Sequence, residues 1–122
     1  MRKRFIAVIA VFAIFLAFGE QPAEASSIGT WCDQEGSYRA AIHLVRQGPT
    51  NVVAETLYFD GSSGRVSMRV IASNRFIDPE SDFGDGFFIS ASGALELFDN
   101  DGHIRTARRL PQGATASDCL NR

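Results

Sequence analysis

From Tyr38 to Arg109 the chain is cut into short alternating runs by clusters of turn residues. That pattern constrains the fold more than any other feature of the sequence. The clusters are Asp60-Gly61-Ser62-Ser63-Gly64, Ser92-Gly93 and Asp99-Asn100-Asp101-Gly102. Glycine accepts positive φ, and Asp, Asn and Ser bond their own backbone, so such clusters reverse the chain. Between them Val66, Met68 and Val70 alternate with Ser67 and Arg69. Phe87, Ile89 and Ala91 alternate with Ser90 and Ser92, Leu95 and Leu97 flank Glu96, and Ile104 and Thr106 flank Arg105. A period of two marks strands with one buried face.

Two segments read less simply. In residues 38–46, Tyr38, Ala40, Ile42 and Leu44 alternate with Arg39, Ala41 and His43, which favours a strand. Ala40, Ala41, Leu44 and Val45 also form a short helical stripe. Further on, Val53, Leu57 and Phe59 share one face of a strand while Val52, Ala54, Thr56 and Tyr58 occupy the other, so this strand is expected to be buried on both sides. Short strands joined by tight turns pair with their sequence neighbours. The expected fold is all-β: a small antiparallel up-and-down meander of six to eight short strands. It would close into a β-barrel or a two-layer sandwich, because an open sheet leaves bare edges. Gly113 to Asp118 is expected as an irregular closing loop.

The N-terminus has a different character. Arg2, Lys3 and Arg4 precede an apolar run from Phe5 to Phe18, about 14 residues and short of the roughly 20 that a membrane span needs. Ala23-Glu24-Ala25 supplies a small-x-small cleavage pattern. Residues 1–25 therefore read as a cleaved secretory signal of the bacterial Sec type, and 26–122 as a single exported domain, periplasmic or secreted, with no membrane association after cleavage. The full chain has 122 residues and a formal net charge of −2. The expected mature portion is about 97 residues with a net charge of about −3 and no lysine. An acidic body lacks the cationic field that nucleic-acid binding needs. The missing lysines remove Schiff-base chemistry and the usual phosphate-loop cation.

Cys32 and Cys119 stand near the two ends of this expected domain. In an oxidising compartment an even count reads as a disulfide, and two cysteines allow one intramolecular pairing. Its long loop is worth roughly 4–5 kcal/mol by chain entropy. The wide spacing is unlike a C-x-x-C redox pair. With the cysteines in a disulfide, His43 and His103 leave too few ligands for a zinc site. Trp31, beside Cys32, is expected to pack against the bond.

Two clusters stand out as candidate sites. Asp78-Pro79-Glu80-Ser81-Asp82-Phe83-Gly84-Asp85-Gly86 gathers carboxylates where Pro and Gly preclude regular structure. It departs from the EF-hand loop, since a loop begun at Asp78 would carry Phe83 at the glycine position and Ile89 at the glutamate position. No metal or cofactor is expected. Asp78, Glu80, Asp82, Phe83 and Asp85 are candidates for partner binding, with Phe83 as an aromatic anchor among charges or as a plug in a barrel end. Arg105, Arg108 and Arg109 form the second cluster, a candidate anion site or a set of ion pairs with the acidic loop. On a strand, Arg105 and Arg109 share one face. His43 and His103 could exchange protons, yet no nucleophile motif such as G-x-S-x-G accompanies them, so an enzyme is not expected.

A segment reading Gly84-Asp85-Gly86-Phe87, a cysteine near each end and an exported short barrel together resemble the small periplasmic inhibitors of C-type lysozyme. The resemblance is architectural and covers the second half of the chain. Their Gly-x-Arg-Tyr stretch is not matched: the nearest piece, Ser73-Asn74-Arg75-Phe76, lacks both the glycine and the tyrosine. No inhibitory residue is carried over. The expected function is that of a monomeric protein-binding or inhibitor-like module whose acidic loops meet a basic cell-envelope or host enzyme. The alternative is a small barrel that carries one apolar ligand.

Overall fold

The structure, a computed structural model, describes residues 25–121. The expected leader lies outside the described residues apart from Ala25. Eight antiparallel strands follow one another around a closed barrel: β1 (Ala25–Glu35), β2 (Tyr38–Gln47), β3 (Asn51–Tyr58), β4 (Ser63–Ala72), β5 (Arg75–Ile77), β6 (Gly86–Ile89), β7 (Leu95–Asp99) and β8 (Gly102–Arg109). β8 closes on β1 through the pairs Trp31–Arg109 and Cys32–Arg108. Closure of an up-and-down meander removes every sheet edge. Residues 38–46 fall in β2, so alternation prevails over the helical stripe. The tail differs from the expected irregular loop, because Ala116–Leu120 forms a short helix, α1. The Asp118 carboxylate accepts the Thr115 N–H at 2.7 Å at its start, which satisfies a donor that the helix leaves free.

Register assigns each side chain to one side of the wall. Trp31 pairs with Ile42, Ile42 with Thr56, Ala54 with Val66, Val52 with Met68, Phe76 with Phe87, and Leu95 with Ala107. These residues point inward. The buried core consists of Trp31, Ile42, Leu44, Val52, Ala54, Met68, Phe76, Ile89, Leu95 and Ala107. Most of them lie toward the end that holds the β2–β3 and β6–β7 connections, which we call the packed end, while Ala54 and Met68 reach the lining of a recess from the other end. The Trp31 indole donates to the Gly93 carbonyl at 2.8 Å, so the largest core residue leaves no polar atom unpaired there.

Cys32 points the other way, since neighbours on a strand face opposite sides. It joins Ala41, Leu110 and Cys119 in a second cluster outside the barrel wall, covered by Ala114, Ala116 and Leu120. Trp31 therefore packs in the barrel interior and not against the disulfide. The Cys32–Cys119 bond is formed, with 5.5 Å between the Cα atoms and a sequence separation of 87. It clamps the C-terminal helix onto β1 and β2.

Candidate functional site

The opposite end of the barrel carries the turns after β1, β3, β5 and β7. Here the inward side chains are mixed: Ala40 is buried, Phe87 and Leu97 pack against the core while only partly buried, and Val66 is exposed. Asp33 is buried on the inward face of β1, two positions from Trp31. Arg105 on β8 reaches it as a fork, Nε to Oδ1 at 2.6 Å and Nη2 to Oδ2 at 2.8 Å. Glu35 lies 3.6 Å from the same guanidinium, which also sits 5.3 Å above the Tyr38 ring. The hydrogen bonds that Arg105 donates to Asp33 raise its pKa further, against its own partial burial. Burial, followed by the nearby Asp33 charge, raises the Tyr38 phenol. A bidentate pair satisfies a buried carboxylate that would otherwise cost several kcal/mol.

Beside this pair a recess of about 250 Å³ enters the barrel, lined in part by Thr56, Tyr58, Val66, Phe87, Leu97 and Ile104. Val66 points inward by register, yet 39% of it is exposed, which shows how far the mouth opens. Asp78 and Asp85 also line this recess. They bracket the β5–β6 loop, closed by the Asp78 N–H donating to the Asp85 carbonyl at 2.9 Å.

Inside the loop Ser81 acts as a brace. Its hydroxyl donates to Asp85 Oδ2 at 2.8 Å and accepts the Phe83 N–H at 3.1 Å. The Phe83 carbonyl accepts the Asn100 N–H at 2.8 Å. The loop backbone is thus pinned on both sides while the Phe83 ring, 71% exposed, stands in solvent. Phe83 is therefore not a plug in the barrel end. Gly84 has φ of 71°, and a Cβ there would strike the Asn100 side chain. Gly86 is confined differently, because a Cβ would meet the Phe76 carbonyl and the Phe98 ring. Space thereby requires glycine at both positions of the Gly84-Asp85-Gly86-Phe87 segment, and the positive φ requires it at Gly84 as well.

The three arginines do not form one site. Arg105 turns to β1 and not to the acidic loop. Arg109 shares its inward face but lies at the packed end, 5.1 Å over the Trp31 ring and donating to the Ile28 carbonyl at 2.7 Å. Arg108 is exposed on the outer face. The expected pairing with the loop fails because Asp33 and Glu35 are nearer neighbours in the register of β8 against β1. Asp33 was not among the residues singled out from sequence. Its only signal was a carboxylate at the same parity as Trp31.

On the outer wall Ser27 Oγ lies 2.9 Å from His43 Nε2, His43 Nδ1 lies 3.4 Å from Glu55 Oε1, and Arg65 donates to Glu55 Oε2 at 2.7 Å. The order is that of a nucleophile, base and carboxylate. Register accounts for it as a cross-strand ladder, since His43 pairs directly with Glu55 and Glu55 with Arg65. At the other histidine, His103 Nε2 lies 2.7 Å from Glu96 and 3.0 Å from Thr106. Among the described residues no three His, Cys, Asp or Glu side chains converge as metal ligands do. No family model, no curated protein and no solved structure matches this chain.

Proposed function

We propose that this chain is an exported, non-enzymatic protein-binding module, inhibitor-like in action, whose partner is a basic protein of the cell envelope or of a host. One observation carries the reading. Of the six exposed large apolar side chains among the described residues, Phe59, Phe83, Val66 and Ile104 lie around the open end of the barrel, among Asp60, Asp78, Asp82, Asp85, Asp99 and Asp101. Carboxylates outnumber the cations at this end, where Arg39 and Arg65 also lie, and apolar side chains rimmed mainly by acidic charge suit a basic protein partner. The braced loop presents Phe83 with little ordering cost on binding, which favours affinity. A carrier barrel would need a chamber of about 300–1,000 Å³. The recess here measures about 250 Å³ and the packed end is filled. Residues 1–25 as a cleaved signal fit this role, as does a disulfide formed in an oxidising compartment.

The test is binding to a C-type lysozyme as a first basic partner, alongside a panel of basic and acidic proteins. Surface plasmon resonance at two salt concentrations is the readout. Phe83→Ala is expected to weaken binding by about 30-fold, the loss of an anchor worth about 2 kcal/mol. Asp82→Ala with Asp85→Ala is expected to slow association and flatten its salt dependence. Equal binding by wild type and these variants overturns the reading. Export is checked by the intact mass of the periplasmic form, expected to begin at Ser26.

A further inference from the structure

The recess at the open end has the size and lining for one particular side chain. Thr56, Val66, Leu97 and Ile104 give it aliphatic walls, and Tyr58 and Phe87 add rings. Asp78 and Asp85 contribute to the same lining from the β5–β6 loop. The one cation nearby on the inward face, Arg105, is held by Asp33 and lies near Glu35. Each of these carboxylates accepts one hydrogen bond inside the loop, Asp78 from the Glu80 N–H and Asp85 from the Ser81 hydroxyl, and neither takes part in an ion pair among the described residues.

We propose that this recess receives the side chain of a lysine from the protein partner, its aliphatic stem against Val66, Leu97 and Ile104 and its ammonium group between Asp78 and Asp85. A long amphipathic side chain buries its methylenes and keeps its charge at a polar rim. Opposite charge at that rim selects an ammonium over a neutral or acidic group. Rings in the wall add attraction for a cation within about 6 Å of a face. The same wall demonstrates this chemistry on its outer side, where Arg75 lies 4.7 Å over Phe88 and 4.9 Å over Phe98. A recess of about 250 Å³ has room for one such side chain and is smaller than the usual small-molecule pocket of about 300–1,000 Å³. The inference rests on reading this end as the protein-binding face, and it adds what the face recognises.

The test uses the disulfide-bonded protein and small probes in place of a partner. Methyl and amide NMR shifts are followed during titration with n-butylammonium, n-butanol and butyrate. The expected result is shift changes at Val66, Leu97 and Ile104, with n-butylammonium binding about tenfold tighter than n-butanol, a difference of about 1.4 kcal/mol, and butyrate weaker still. Asp78→Asn with Asp85→Asn, which keeps the hydrogen-bond acceptors of the loop, is expected to reduce that preference to about onefold. Comparable binding of butylammonium and butanol by the wild-type protein overturns the proposal, whatever the variant does. So do shifts that map elsewhere, for example to the outer wall beside His43. Loss of partner binding in Phe83→Ala, with no butylammonium response at the recess, would remove this inference and leave the protein-binding reading standing.

Discussion

The two ends of the barrel are each served by an arginine from the same face of β8, and they use it in opposite ways. At the packed end Arg109 lies across Trp31 as a cover on a filled core. At the open end Arg105 enters the wall to neutralise the buried Asp33. Ala107, fully buried between them, leaves room for the core residues it faces. The packed end gains stability from close packing, which scales with the apolar area removed from water. The open end substitutes an ion pair and a recess for some of that packing. Such a substitution is weak as a source of stability, and it leaves an accessible concave surface. The comparison teaches that close packing and open concave surface are allotted to different ends of one small barrel.

Breaking the staple should have the largest effect. Replacing Cys32 and Cys119 together by Ala is expected to lower the unfolding free energy by roughly 4–5 kcal/mol, from the release of an 87-residue separation. Urea denaturation measures this, and a loss below about 1 kcal/mol would mean that the bond only decorates the outer wall. Next comes the ion pair. Asp33→Ala should cost about 2–3 kcal/mol, the loss of charged hydrogen bonds to a half-buried guanidinium. A double replacement, Asp33→Leu with Arg105→Leu, is expected to cost less than either single replacement. Additive losses would contradict the view that this pair mainly offsets its own burial.

The sequence made the barrel legible because alternation and turn chemistry are local signals. Val66-Ser67-Met68 states its faces without help from the rest of the chain, and so do the turns at Gly61 and Gly102. The pairing of Cys32 with Cys119 was legible because only one partner existed. What stayed hidden was contact between distant strands. Asp33 and Arg105 are 72 residues apart, and nothing local says that β8 lies beside β1. The same gap placed Trp31 against the disulfide in the sequence reading, although adjacent strand residues face opposite sides. The Phe83 loop was recognised by composition, whereas its bracing by Ser81 and Asn100 depends on the fold. Ser27 beside His43 was equally invisible, since the contact joins two strands.

Smaller effects sharpen the contrast at the loops. Phe83→Ala should leave stability within about 0.5 kcal/mol of wild type, because the ring is exposed, while it weakens partner binding. A large loss of stability would mean the ring is structural. Asp60 provides the smallest signal. Hydrogen bonds from the Ser62 hydroxyl and N–H lower its pKa. Its contribution to stability is therefore present above its unfolded pKa and fades as pH falls through the folded value. Ser62→Ala is expected to move Asp60 back toward 3.8 in an NMR pH titration, and an unmoved titration would assign the shift to the backbone alone.

The division of the barrel can be tested on one strand with one substitution made twice. Leu95 and Leu97 lie two residues apart on the same inward face of β7, the first buried in the packed core and the second lining the recess. Leu95→Ala is expected to cost about 3–5 kcal/mol in urea denaturation, and Leu97→Ala about 2 kcal/mol less, because water already reaches its side chain. Equal costs at the two positions would mean that both ends are packed alike, and would contradict the account.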